Sequence, residues 1–98
     1  MAVNKPSKTH TSFLRRLLVA YIIDSGSNSV SDIVDVSGMS RRTVQDVIKS
    51  LPELEMRIEY SGRGKARKYH ITSWGAVNKE WTENNIQYIC DLLSCPSS

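Results

Sequence analysis

SDIVDVSGMSRRTVQDVIKSL, residues 31–51, is the stretch on which the architecture of this chain turns. Ile33, Val34 and Val36 precede a break at Ser37-Gly38-Met39-Ser40, and Val44, Val47, Ile48 and Leu51 follow it. Both runs have the spacing of a helix with one apolar face. Gly38 can take the left-handed conformation that ends a helix, Met39 is placed to plug the gap between two helices, and Ser40 is a strong N-cap for the second. The pattern therefore predicts two short helices joined by a sharp turn. Ser40, Arg41, Arg42, Thr43, Gln45, Asp46 and Lys49 are left facing outward on the second helix. Arginine can bond bidentately to guanine and glutamine to adenine, and serine or threonine at a helix start can hold a phosphate. An ordinary helical hairpin with a solvated face has the same local pattern, so the flanking sequence has to discriminate.

Upstream, TSFLRRLLVAYIIDSG predicts a longer helix capped by Thr11 or Ser12, with Phe13, Leu14, Leu17, Leu18, Tyr21 and Ile22 on one stripe and Gly26 past its end. Ser27 to Val30 leaves room for a turn and a stub of strand before Ser31 caps the next helix. Residues 1–10 are polar, carry Lys5, Lys8 and His10, and read as a disordered arm. Downstream, Pro52 stops the second short helix, because proline has no amide to donate and disfavours helix at the residue before it. The period then changes. Glu55 to Tyr60 and Lys68 to Thr72 alternate polar and apolar, which predicts a hairpin with Met56, Ile58, Tyr60, Tyr69 and Ile71 toward the core. Its tip, Ser61-Gly62-Arg63-Gly64-Lys65-Ala66-Arg67, has two glycines for the turn, and Arg63, Lys65, Arg67 and Lys68 put four cations into six residues. Such a tip can lie on phosphates or in a minor groove.

From Ser73 the spacing turns helical again. Trp74, Val77 and Trp81 share one face, then Ile86, Ile89, Cys90 and Leu93 another, and Asn84-Asn85 leaves open whether this is one bent helix or two. This extension packs on the domain, its two tryptophans covering the small core, or dimerises, or both; Trp81, Ile86, Ile89 and Leu93 are the candidates for a dimer surface, since the later stripe is more apolar than so small a domain needs.

Ninety-eight residues suit a single domain. The net charge of +3 is unevenly placed: residues 1–69 hold 12 Lys+Arg against 7 Asp+Glu, residues 70–98 hold 1 against 3. The basic excess therefore accompanies the segments suited to nucleic acid. Cys90 and Cys95 are five apart with no second pair, so no zinc-ligand spacing exists and no metal or cofactor is expected. The sequence contains neither a membrane-length apolar run nor a secretory leader, and a cytoplasmic protein is expected. Gly62-Arg63-Gly64-Lys65-Ala66 lacks the hydroxyl and the following helix of a phosphate-cradling loop, and no Ser or Cys has a recognisable base partner. Catalysis is not expected, and no small-molecule ligand is evident.

The order helix, stub, helix, turn, helix, basic hairpin, closing helix resembles that of a winged helix-turn-helix domain, in particular small bacterial winged-helix transcription regulators. His70-Ile71-Thr72-Ser73-Trp74-Gly75 looks like the strand end and Trp-Gly step of short proteins of that kind. The resemblance covers about residues 11–81. It implies an α+β, mainly α fold: a three-helix core with a β-hairpin wing over residues 11–73 and a C-terminal helical extension over 74–94. It further implies sequence-selective binding of double-stranded DNA, with the helix from Ser40 to Leu51 in a major groove; a homodimer reading two half-sites is expected on that basis. Ser40, Arg41, Arg42, Gln45 and Lys49 would then be recognition contacts, and Arg63, Lys65, Arg67 and Lys68 wing contacts. Asp46 departs from the pattern, because a carboxylate on that face repels phosphate unless it accepts from a cytosine amino group or pairs with a neighbouring cation. A winged-helix module that binds protein rather than DNA is the alternative. It has no need for cations on both the helix and the hairpin.

Overall fold

The structure, a computed structural model, describes residues 7–93. It is α+β and mainly helical, as expected. Five α-helices, α1 (Lys8–Asp24), α2 (Val30–Ser37), α3 (Arg41–Ser50), α4 (Lys79–Asn84) and α5 (Ile86–Leu93), are accompanied by one antiparallel hairpin, β1 (Arg57–Ser61) and β2 (Lys68–Ser73).

Helix α1 is the axis of the molecule. It packs against α2 and α3 on one side, α4 and α5 on another, and β2 as well. Its middle, Leu17-Leu18-Val19-Ala20-Tyr21-Ile22-Ile23, is apolar nearly all round, and all of it except Tyr21 is buried. A helix apolar all round must be covered on more than one side. The single stripe expected from spacing therefore understates α1: Val19, Ala20 and Ile23 are core residues, whereas Phe13 is exposed. The helix also begins earlier than expected. The Ser7 hydroxyl accepts from the His10 N–H at 3.1 Å, while the Thr11 hydroxyl donates back to the carbonyls of Ser7 and Lys8. That is the behaviour of a threonine inside a helix rather than at its cap. The expected arm over 1–10 thus gives up residues 8–10 to α1, and residues 1–6 lie outside the described residues.

The stretch from Ser31 to Leu51 folds, as its pattern requires, into two helices and a turn. Gly38 ends α2 at φ 76°, where its N–H donates to the Val34 carbonyl. The Ser37 hydroxyl accepts from the Met39 N–H at 3.1 Å, and Met39 packs against the core. Ser40 caps α3, its hydroxyl accepting from the Thr43 N–H at 3.1 Å. Two details differ. Ser29, not Ser31, caps α2, and Val36 is 48% exposed because it falls on the solvent side of that helix. The early start of α2 also leaves no third strand among the described residues: the Asn28 carbonyl accepts from the Tyr69 N–H at 2.9 Å, a single backbone bond to β2.

Leu51–Leu54 continue α3 as one 3-10 turn carrying Pro52 in its first positions, where a missing N–H costs nothing. In the hairpin, Ile58 lies opposite Ile71 and Tyr60 opposite Tyr69. Ile58, Tyr69 and Ile71 pack against the helical core. Tyr60, expected there too, is 60% exposed, because the hairpin outruns the helices beneath it. Residues 74–78 form a turn rather than the start of a helix. The Asn78 carboxamide oxygen accepts from the Trp81 N–H at 2.8 Å and so opens α4. Asn85 breaks the segment, and α4 and α5 are two helices.

Ile89, one of the candidates for a dimer surface, is instead fully buried inside the monomer, because its face of α5 closes on α1. Trp81 is 43% exposed, and Ile86 and Leu93 are half-buried.

Candidate nucleic-acid interface

Helix α3 divides cleanly into two faces. Val44, Val47 and Ile48 are buried, whereas Arg41, Arg42, Gln45, Asp46 and Lys49 are exposed. At about 100° per residue the five exposed positions fall within one arc of about 140°. Thr43 lies outside that arc and is half-buried, its hydroxyl oxygen accepting from the Ser40 O–H at 2.9 Å. Ser40 is exposed, but its hydroxyl is engaged twice, as cap and as donor to Thr43. Any phosphate held at this helix start would therefore meet backbone N–H groups more readily than the Ser40 side chain.

Asp46 makes no ion pair with Arg42 or Lys49 among the described residues; the ion pair found there joins Lys79 to Asp24 at 3.2 Å, away from α3. Arg42 and Lys49 likewise form no side-chain bond among the described residues, so their charges are available to a partner. Arg41 is different. It donates from Nη2 to the Ser31 hydroxyl at 2.8 Å, which ties the start of α3 to the first turn of α2. Behind the helix, Arg16 of α1 donates to the Ser50 hydroxyl at 2.8 Å and to the Ser12 carbonyl at 3.0 Å, fixing the far end of α3. Both ends of the exposed face are thus held by arginine hydrogen bonds to neighbouring helices.

The hairpin tip supplies the second half of the surface. Gly62, at φ 82°, sits where a Cβ would come within 2.5 Å of the Ala66 carbonyl oxygen, so the turn admits no side chain there. Arg63, Lys65 and Lys68 are exposed. Arg67 is only half-buried and lies 4.4 Å above the centre of the Tyr60 ring. The two rings Tyr60 and Tyr69 pack at 6.1 Å in turn.

Helix and hairpin meet at a cleft of about 300 Å³ lined by Ser31, Arg41, Gln45, Lys65, Arg67 and Tyr69, with backbone of the hairpin tip. No carboxylate lines it. The structure therefore brings Arg41 and Gln45 of the helix together with Lys65 and Arg67 of the hairpin, and keeps Arg42, Asp46 and Lys49 on the open part of the helical face. Ser31, Tyr60 and Tyr69 belong to the same surface and were not singled out from sequence as site residues. A signal for Tyr60 did exist. Arg67 precedes its opposite number, Tyr69, by two, and diagonal neighbours across a hairpin are within reach of long side chains.

A three-helix core that presents the outer face of its third helix beside a cationic hairpin is the architecture of a domain class that generally binds DNA. The chain belongs to the winged helix-turn-helix family, whose model matches residues 8–93, α4 and α5 included. Among solved structures it is similar to a DUF2131 family protein from Shewanella amazonensis SB2B, with a TM-score of 0.85 and 28% identity over 94% of this chain and 92% of that one. No curated protein matches it. Members of such a family are typically not enzymes. No described helix is long and apolar enough to cross a membrane, and no group of three or more His, Cys, Asp or Glu side chains gathers among the described residues.

Proposed function

We propose that this protein is a sequence-selective double-stranded DNA-binding regulator of transcription, acting as a homodimer in the bacterial cytoplasm. Helix α3 enters a major groove, and the hairpin lies as a wing on the backbone or in the adjoining minor groove. The observation that carries this reading is the continuity of the surface: the exposed arc of α3 and the hairpin tip share one cleft without a carboxylate, and Arg42, Lys49, Arg63 and Lys65 have no bonding partner within the described chain. Cations held ready in this way favour phosphate, since each contact releases condensed counterions. Arg42 and Gln45 are the base readers, with Lys49 and Arg41 flanking them. Asp46, unpaired, is suited to accept from a cytosine amino group.

Binding-site selection from a random duplex pool tests the reading. Enrichment of a palindromic motif, together with affinity that falls steeply with salt, is expected. Arg42→Ala or Gln45→Ala should relax discrimination at one base position by roughly 1–3 kcal/mol. A pool that shows no enrichment and no salt-dependent binding would overturn it.

A further inference from the structure

The cleft between α3 and the wing has an internal construction that general cationic attraction does not require. Arg67 is the only one of the four wing cations that is not fully exposed. Its guanidinium rests 4.4 Å over Tyr60, and its Nε is buried without a hydrogen-bond acceptor among the described residues. Among the described residues none accepts a hydrogen bond from this guanidinium, and the ring beneath it fixes its position. Across the cleft, the bond from Arg41 to Ser31 fixes a second guanidinium, and Lys65 supplies a third cation with no carboxylate among the lining residues. Three like charges gathered around one small polar space repel one another unless an anion sits among them. At about 300 Å³ and lined mainly by polar groups, the space is at the lower limit of ligand pockets and ill suited to an apolar molecule. Planar guanidinium forks match the oxygens of a phosphate.

We propose that this cleft is a phosphate clamp, in which Arg41, Lys65 and Arg67 close on a single phosphate group and Tyr60 acts as the positioning residue that holds Arg67 in place. The proposal deepens the DNA-binding reading and, for its natural occupant, rests on it: the group bound is one phosphodiester of the DNA backbone, at the junction of helix and wing. A phosphate carried by a free small molecule offers the same chemistry, and the experiment separates the two sources.

The test uses the 98-residue protein and its Tyr60→Leu and Tyr60→Phe variants. On a selected duplex, Tyr60→Leu should weaken binding by about 5-fold, because a long Arg67 side chain no longer held by the ring has to be ordered on binding, and lower the salt slope by up to about one. Tyr60→Phe keeps the ring and should restore both. Replacing single backbone phosphates by neutral methylphosphonates should reveal one position per half-site at which wild-type protein loses affinity and Tyr60→Leu loses no more. If Tyr60→Leu matches wild type in affinity and slope while Arg42→Ala still relaxes discrimination, the DNA reading stands and the clamp is overturned. If no duplex is bound at all, titration with inorganic phosphate decides, followed through the Arg41 and Arg67 Nε–H resonances. Shifts that saturate in wild type and vanish in Tyr60→Leu would establish the clamp for a free phosphate ligand. Unmoved resonances would overturn it.

Discussion

Gly75 shows how one residue can hold two segments in register. It sits at φ 57°, and a Cβ there would lie 2.0 Å from the Glu55 carbonyl oxygen and 2.7 Å from the Met56 nitrogen. Next to it the Ala76 N–H donates to the Leu54 carbonyl at 3.0 Å. The turn after β2 is thereby laid directly on the segment before β1, where Glu55 itself adopts φ 64° to leave the 3-10 turn. Gly75→Ala combines a left-handed backbone that disfavours any side chain with an overlap that only backbone movement can relieve. We expect a loss of about 3 kcal/mol and a fall in Tm of roughly 15 °C, measured by thermal unfolding. A Tm within about 2 °C of wild type would contradict the close approach. At this scale the sequence was readable only in part. The Trp74-Gly75 step stood out as a pattern, but what the glycine touches is a tertiary fact. The same holds for Ser31: its local position suggested a cap, whereas the structure uses its hydroxyl to receive Arg41 from another helix.

Among elements, α3 was the most legible and the wing the least. Inward and outward positions on α3 follow from a 3.6-residue period, and Val44, Val47 and Ile48 are buried while Arg41, Arg42, Gln45, Asp46 and Lys49 are exposed as that period requires. Period two assigns a face to each residue of the hairpin, but it cannot say where the sheet runs out beyond its support. Tyr60 is therefore on the core-side face by register yet stands above solvent, and the cation nearest to it is drawn out of the free wing charge. The wing thus contains two kinds of cation. Arg63 and Lys65 are exposed with no stacking partner, and removing them together should weaken binding to selected and random duplexes by the same factor. The salt slope should drop by about 1, since Arg63 gives up a phosphate contact worth roughly 0.9 while Arg41 and Arg67 still hold the phosphate that Lys65 shares. Fluorescence anisotropy over a salt series measures both quantities. A loss confined to the selected duplex would instead make the wing a reader of sequence.

For the whole molecule, the decisive feature is that α1 is buried from several sides. Spacing offered a stripe on α1 and another on α5 without indicating that they face each other, although LLVAYII at residues 17–23 is too apolar to leave any side uncovered. Once α5 closes on α1, Ile89 joins Val19 and Leu14 as a fully buried side chain, and the apolar residues left outside on this end are Trp81 and Tyr88, with Ile86, Cys90, Leu92 and Leu93 partly covered. Any self-association of the domain through α4 and α5 has to use that remainder. The two roles separate experimentally. Ile89→Ala opens a cavity beside α1 and should cost roughly 3 kcal/mol, lowering Tm by about 15 °C while the folded protein keeps its sedimentation coefficient. Trp81→Lys removes no fully buried group and should change stability by less than about 1 kcal/mol. It places a charge on the candidate dimer surface, however, and should convert a sedimenting dimer to a monomer. With only one recognition helix left to engage, that monomer should bind a palindromic site far more weakly than wild type and a single half-site about equally well. If Trp81→Lys sediments as wild type does, α4 and α5 serve only to complete the core around α1, and the pairing of half-sites must use another face.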